Sequence, residues 1–152
     1  MTAWNVYLSG EIHTDWREQI ISGTEAHGLP VSFSAPVTVH DFSDDCGVAI
    51  LGSEDKKFWY DHKGAKVNAI RTRTLIEKAD IVVVRFGDKY KQWNAAFDAG
   101  YASALGKSLI VVHDPALTHP LKEVDAAALA VAETSNQVVD ILKYVIQGEL
   151  NR

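Results

Sequence analysis

The chain has 152 residues, 47% of them hydrophobic, with 15 Lys and Arg against 20 Asp and Glu for a formal net charge of -5. This length and apolar fraction fit one domain spanning residues 1–152 with a continuous core, and the acidic balance excludes the broad basic surface that a nucleic-acid polymer requires as partner. The single cysteine, Cys46, excludes an internal disulfide; the opening residues lack the pattern of a signal peptide, and no apolar run approaches the ~20 residues of a membrane helix, so a cytoplasmic protein with no membrane partner is expected.

Residues 4–9, WNVYLS, predict a first strand, and Gly10 allows a tight turn after it. Residues 13–27 read as a helix with Trp16, Ile20 and Ile21 on one face; Thr14 or Asp15 caps its start and Gly28 closes it. A short strand at 31–34 lies between Pro30 and Pro36. Residues 38–64 read as irregular: HDFSDDCG, GSEDKK and FWYDHKG carry no clean periodicity. A second helix is expected over 65–78, with Val67, Ile70 or Arg71, Leu75 and Ile76 at helical spacing. The unalternating apolar run 81–86 predicts a strand covered on both faces. A third helix spans 91–105, ended by Gly106, and a buried strand follows at 109–112. Short elements close the chain: a helix at 121–129, a strand at 131–133, and an amphipathic helix at 135–150 burying Val138, Ile141, Leu142, Val145 and Ile146. Strands alternating with helices imply an α/β fold, a doubly wound, Rossmann-like parallel sheet of about five strands.

Three stretches carry candidate chemistry. In YLSGEIHTDW, a glycine between strand and helix lets backbone N–H groups approach a ligand; Ser9, Gly10 and Glu11 are candidate binding residues. In NAIRTRT, Asn68 and Arg71 are candidate substrate contacts, Asn68 sharing a helix face with Thr72. In WNAAFDAGY, Asn94, Asp98 and Tyr101 fall on one helical stripe, while alanines on the remaining surface permit close packing on a sheet. Trp93 opens that helix. The cluster His40, Asp41, Asp44, Asp45 and Cys46 matches no zinc or calcium spacing and reads as an Asx-rich turn, so no metal and no cofactor are expected. The rings of Phe58, Trp59 and Tyr60 read as pins holding the long loop to the core. The Pro115 turn explains His113 and Asp114 as well as a ligand role does.

The stretch ADIVVVRFG…WNAAFDAGYASALGKSLIVV resembles the nucleoside 2-deoxyribosyltransferase superfamily: Tyr7-Leu8-Ser9-Gly10 matches an aromatic-to-glycine strand end, Ala79-Asp80 the start of the apolar strand, and Asp98-Ala99-Gly100-Tyr101-Ala102 with Gly106-Lys107 the acid-bearing helix. The whole chain is similar to the YtoQ family, which is grouped with that superfamily. The resemblance implies a flavodoxin-like domain acting on a small-molecule nucleoside or nucleotide by cleavage or transfer at its N-glycosidic bond. It implies Asp98 as carboxylate nucleophile, with Tyr7 beside it as the aromatic that orients the acid, and a homo-oligomer. The superfamily's nucleophile is normally Glu, one methylene longer, and Gln92 stands where an Asp is frequent. Two readings therefore stand: a deoxyribosyltransferase or N-glycosidase, and a non-catalytic sensor of a nucleotide or ribosyl metabolite.

Overall fold

Five short strands, three of them dominated by Val, Leu, Ile or Ala, pair in parallel: β1 (Trp4–Gly10), β2 (Val31–Ser34), β3 (Ile81–Arg85), β4 (Ser108–Val112) and β5 (Ala130–Ala132). The sheet order is β2-β1-β3-β4-β5, the doubly wound order of flavodoxin-like proteins. The computed structural model describes residues 2–150. It divides into two units, one built from the chain up to Ser34 and from Ala79 onward, the other from Ala35–Lys78.

In the sheet-bearing unit, the pleat sends alternate side chains to opposite faces. Val6, Leu8, Ile81, Val83, Ile110 and Val112 pack with Trp16 and Ile20 of α1 (Trp16–Ala26) and with Val138 and Leu142 of α6 (Ser135–Gln147). Tyr7, Ser9, Val82, Val84, Leu109 and Val111 point the other way and are buried too. That face takes α4 (Trp93–Ala104), whose Ala95, Ala99 and Ala102 are buried. Small side chains let this helix lie close to the sheet.

Helix starts differ from the sequence expectation. Asp15 occupies the cap position of α1 but makes no capping bond; its carboxylate accepts from Gln19 Nε2 at 2.9 Å. Thr14 is drawn into the preceding loop instead. At α6 the cap is complete: Thr134 accepts from Gln137 N–H and Gln137 accepts from the backbone of Thr134. Val145, expected inside, is 43% exposed, and Val139 is buried in addition to Val138 and Leu142. Between β4 and β5 the chain forms a single 3-10 turn (Pro115–Leu117) and the short α5 (Lys122–Ala127).

The expectation of an irregular 38–64 segment is corrected. Residues there form α2 (His40–Leu51), and α3 runs Lys57–Lys78, starting eight residues before the expected helix. The metal-like cluster is therefore helical rather than an Asx turn: His40 and Asp44 pair one turn apart at 3.0 Å. Phe58 and Trp59 are 65% and 49% exposed, so they do not pin anything to a core; they touch one another at 4.9 Å. What holds α2 to α3 is a backbone crossing. A Cβ on Gly47 would meet the backbone of Gly64 at 2.4 Å, so two glycines that weaken each helix alone let the pair close.

Candidate active site

The catalytic candidate lies on α4. Asp98 is half-buried, and Ser9 Oγ donates to its Oδ2 at 2.6 Å. Ser9 lies next to the last residue of β1, so the contact places the carboxylate at the carboxyl end of the sheet. Burial raises the Asp98 pKa by disfavouring the charged form, and the Ser9 hydrogen bond opposes that rise. Tyr7, two residues earlier on β1, projects to the same face and is fully buried. The edge is also the topological switch point: β1 leads to α1 on one face and β3 to α4 on the other, the position at which open α/β sheets take their ligands.

The strand ends are locked together. Gly10 pairs with Arg85, and a Cβ on Gly10 would lie 2.1 Å from the Arg85 carbonyl oxygen. Its φ of 122° is also one that side chains resist. Glu11 N–H donates to that same carbonyl at 3.1 Å. The buried Arg17 guanidinium holds the turn from behind, donating to the carbonyls of Leu8 (3.0 Å), Glu11 (2.8 Å) and Gly10 (3.1 Å). Trp16 Nε1 donates to Glu11 carbonyl as well, at 2.8 Å.

The Glu11 carboxylate turns back onto its own loop. Oε2 accepts from His13 N–H at 2.7 Å and Thr14 N–H at 3.1 Å; Oε1 accepts from the Thr14 hydroxyl and, at 2.8 Å, from Arg85. Burial would raise its pKa, but the Thr14 hydroxyl, the His13 N–H, the Arg85 charge and the Thr14 N–H outweigh it and hold it below the ordinary carboxylate range. The loop carrying His13 touches the loop before α4 through a ring contact with Tyr90, 4.6 Å between centroids. In that second loop Gln92 Oε1 accepts from Gly87 N–H at 2.7 Å.

The other candidates divide. Trp93 and Asn94 are exposed on the first turn of α4, Trp93 at 74%, while Tyr101 is half-buried with its ring stacked near Phe97. Asn68 and Arg71 belong to the 35–78 unit, where each is engaged: Asn68 Nδ2 donates to Ser43 carbonyl at 2.9 Å, and the Arg71 guanidinium donates to Ala35 carbonyl at 3.1 Å. Asp80, part of the matching pattern, sits at the opposite end of the sheet, where it accepts from Asn5 N–H at 2.8 Å. The partnership of Ser9 with Asp98 has no local sequence signal, because it joins residues 89 apart through the fold; the bracing by Arg17 is closer in sequence, to carbonyls six to nine residues earlier, but no residue pattern marks it.

His113, at the end of β4, is buried between two acceptors. Nδ1 faces Asp114 carbonyl at 2.7 Å, and Nε2 faces the Asp125 carboxylate of α5 at 2.8 and 3.0 Å. Acceptors on both nitrogens call for the doubly protonated ring. Burial would lower the His113 pKa, yet the Asp114 carbonyl and the Asp125 carboxylate raise it on balance. A raised pKa stabilises the fold fully below about pH 6.5 and progressively less as pH rises through the folded value. Denaturant midpoints are therefore expected to fall between about pH 6 and pH 9 in the wild type and to lose part of that slope in His113→Gln; equal slopes would remove this pairing as the source.

An open parallel sheet in the order 2-1-3-4-5, with helices on both faces, defines a flavodoxin-like α/β protein. Comparison with known proteins is more particular. Residues 7–146 match the family described as nucleoside 2-deoxyribosyltransferase YtoQ, and the chain belongs to that family. It is 45% identical over 144 residues to a Bacillus subtilis (strain 168) protein named Uncharacterized protein YtoQ, covering 95% of this chain and 97% of that one. Two solved structures share the fold. A conserved protein from Enterococcus faecalis V583 matches with a TM-score of 0.62 at 10% identity, over 95% of this chain and 99% of the other. The 2-deoxyribosyltransferase from Bacillus psychrosaccharolyticus matches with a TM-score of 0.52 at 18% identity, over 90% of each chain. Among the described residues no helix is long and apolar enough to cross a membrane.

Proposed function

We propose that this protein cleaves or transfers at the N-glycosidic bond of a nucleoside or nucleotide, with Asp98 as the nucleophile. The observation that carries the reading is the Ser9–Asp98 contact at the switch point, which fixes a half-buried acid where open α/β sheets take their ligands. A carboxylate with a raised pKa is the better nucleophile once ionised. It attacks the anomeric carbon as the bond to the base breaks. The base leaves with the bonding electrons and takes up a proton, and the sugar remains as an ester of Asp98. Water then gives hydrolysis, and a second base gives transfer.

Tyr7 serves as the positioning aromatic beside the acid, and Ser9, Gly10 and Glu11 form the strand edge of the site. Trp93, Asn94 and Tyr101 supply contacts from α4. Asn68 and Arg71 are kept as candidate substrate contacts of the 35–78 unit. The setting is cytoplasmic. The assembly is a homo-oligomer, a reading favoured by the exposed apolar side chains of Trp93 and Phe97 on α4 and of Phe42, Ile50 and Ile70 in the 35–78 unit. The test is incubation with a panel of nucleosides and nucleotides, with free base and exchanged nucleoside followed by mass spectrometry. Base release from at least one is expected.

The Ser9 hydroxyl stabilises the charged form of Asp98. In Ser9→Ala the Asp98 pKa rises further, so the acidic limb of the rate profile is expected to move to higher pH. An unmoved limb separates Ser9 from the titrating group.

The second reading, a sensor of a nucleotide or ribosyl metabolite, draws support from the short acid and from Gln92, whose amide oxygen is committed to Gly87. Ligand-induced stabilisation without product identifies that case.

A further inference from the structure

None of residues 114–129, which carry the chain from His113 to β5, is buried. The helix within them, α5, has six residues and no side-chain cap, and is too short to persist in water on its own propensity. It is held in place by packing against α4 and β4, where Leu121 and Val124 are half-buried. Asp125 ties this helix to the sheet. Its carboxylate meets His113 Nε2 at 2.8 Å, with the His113 side chain only 3% exposed and that of Asp125 18%. The other ring nitrogen, Nδ1, is committed to Asp114 carbonyl at 2.7 Å.

A neutral ring has one proton for these two acceptors. If the proton serves Asp114, a nitrogen lone pair faces the Asp125 carboxylate; if it serves Asp125, a lone pair faces the Asp114 carbonyl. Either way the charge-assisted bond to α5, about twice as strong as a neutral one, is gone. The neighbouring elements carry other titratable groups: Lys122 and Glu123 of α5, Asp98 and Tyr101 of α4, Arg85 at the end of β3 and Glu133 after β5. The charges that act on the ring are those of Asp125 and Asp114.

We propose that residues 114–129 form a proton-operated strap: the charged His113 ring holds α5 on α4 and on the end of β4, and loss of the ring proton lets α5 lift while the sheet stays folded. Because Asp125 and the Asp114 carbonyl raise the His113 pKa, the strap is fully held below about pH 6.5 and loosens as pH rises through the folded value. The helix that it backs is the one that carries Asp98, so the strap sets how firmly that helix is held from outside. The device operates whether or not Asp98 is a nucleophile.

Hydrogen exchange of the intact protein, read by mass spectrometry at about pH 6 and about pH 9 and corrected for the intrinsic pH dependence of amide exchange, tests this. Peptides from 114–129 are compared with α6 as an internal reference. In the wild type, protection of 114–129 relative to α6 is expected to fall by at least about tenfold between the two pH values. His113→Gln and Asp125→Asn are each expected to abolish that relative fall. His119→Gln, which removes the exposed histidine of the same segment, is expected to keep it. Should His113→Gln fail to fold, Asp125→Asn, on a helix with no buried residue, carries the same comparison. An equal loss of protection in α6 means global unfolding and overturns the strap. So does a wild-type segment with the same protection at both pH values, or a fall that persists in the folded His113 and Asp125 variants.

Discussion

Asp98→Asn is expected to lower base release by on the order of a thousandfold or more, because the amide keeps the shape but cannot form the glycosyl ester. The Ser9 hydroxyl can still donate to the amide oxygen, so α4 keeps its position. The same substitution is expected to raise the melting temperature slightly, by about 1–3 °C. The sign follows from burial: the raised Asp98 pKa means that the ionised acid is disfavoured in the fold, so the stability it contributes at low pH is lost as pH rises through its folded value. At neutral pH an uncharged isostere escapes that loss. A variant that gains stability and loses turnover together is the pattern of a strained functional group. If the Asp98→Asn variant retained full activity, the glycosyl-ester mechanism would be wrong; a marked loss of stability would mean that Asp98 is chiefly a structural partner of Ser9.

Gly10→Ala carries the largest expected effect on folding. The new methyl would lie 2.1 Å from the Arg85 carbonyl oxygen and 2.7 Å from the Arg85 nitrogen, both backbone atoms of a paired strand. Neither can rotate aside as a side-chain tip would. The φ of 122° adds conformational strain. Relief requires β1 and β3 to part where they meet at the site. A loss of about 3–5 kcal/mol is expected, read as a fall of on the order of 10 °C in melting temperature. A change within about 1 °C would mean that this end of the sheet is far more pliable than its hydrogen bonds imply.

The strand sequence and sheet class were legible because the apolar runs are unbroken and the helices between them are periodic. A run such as IVVV needs no knowledge of its partners to be read as a buried strand, and Ile81–Arg85 and Ser108–Val112 fall within a residue or so of expectation. The 38–64 segment was not legible. HDFSDDCG is poor in strong helix formers, the start of α2 at Val39 has no side-chain cap, and the fit of Gly47 against Gly64 is a property of two helices together. At the site, the position of Asp98 on its helix could be read, whereas the partner of its carboxylate could not, since Ser9 lies 89 residues away. Glu11 was a candidate ligand contact by position, but its engagement by Arg85 depends on the register that sets Gly10 beside Arg85.

The strand that anchors Asp98 is paired on both sides, to β2 and to β3. The β2 pairing ends at Tyr7 and Ser9 is held by β3 alone, opposite Val84, yet the acid tethered to its hydroxyl is still tied to the sheet and has little freedom to follow a differently shaped sugar. Divergence in substrate preference among descendants of this chain should therefore accumulate in the segments around residues 11–15 and 86–92, with the reacting oxygen staying where the sheet holds it.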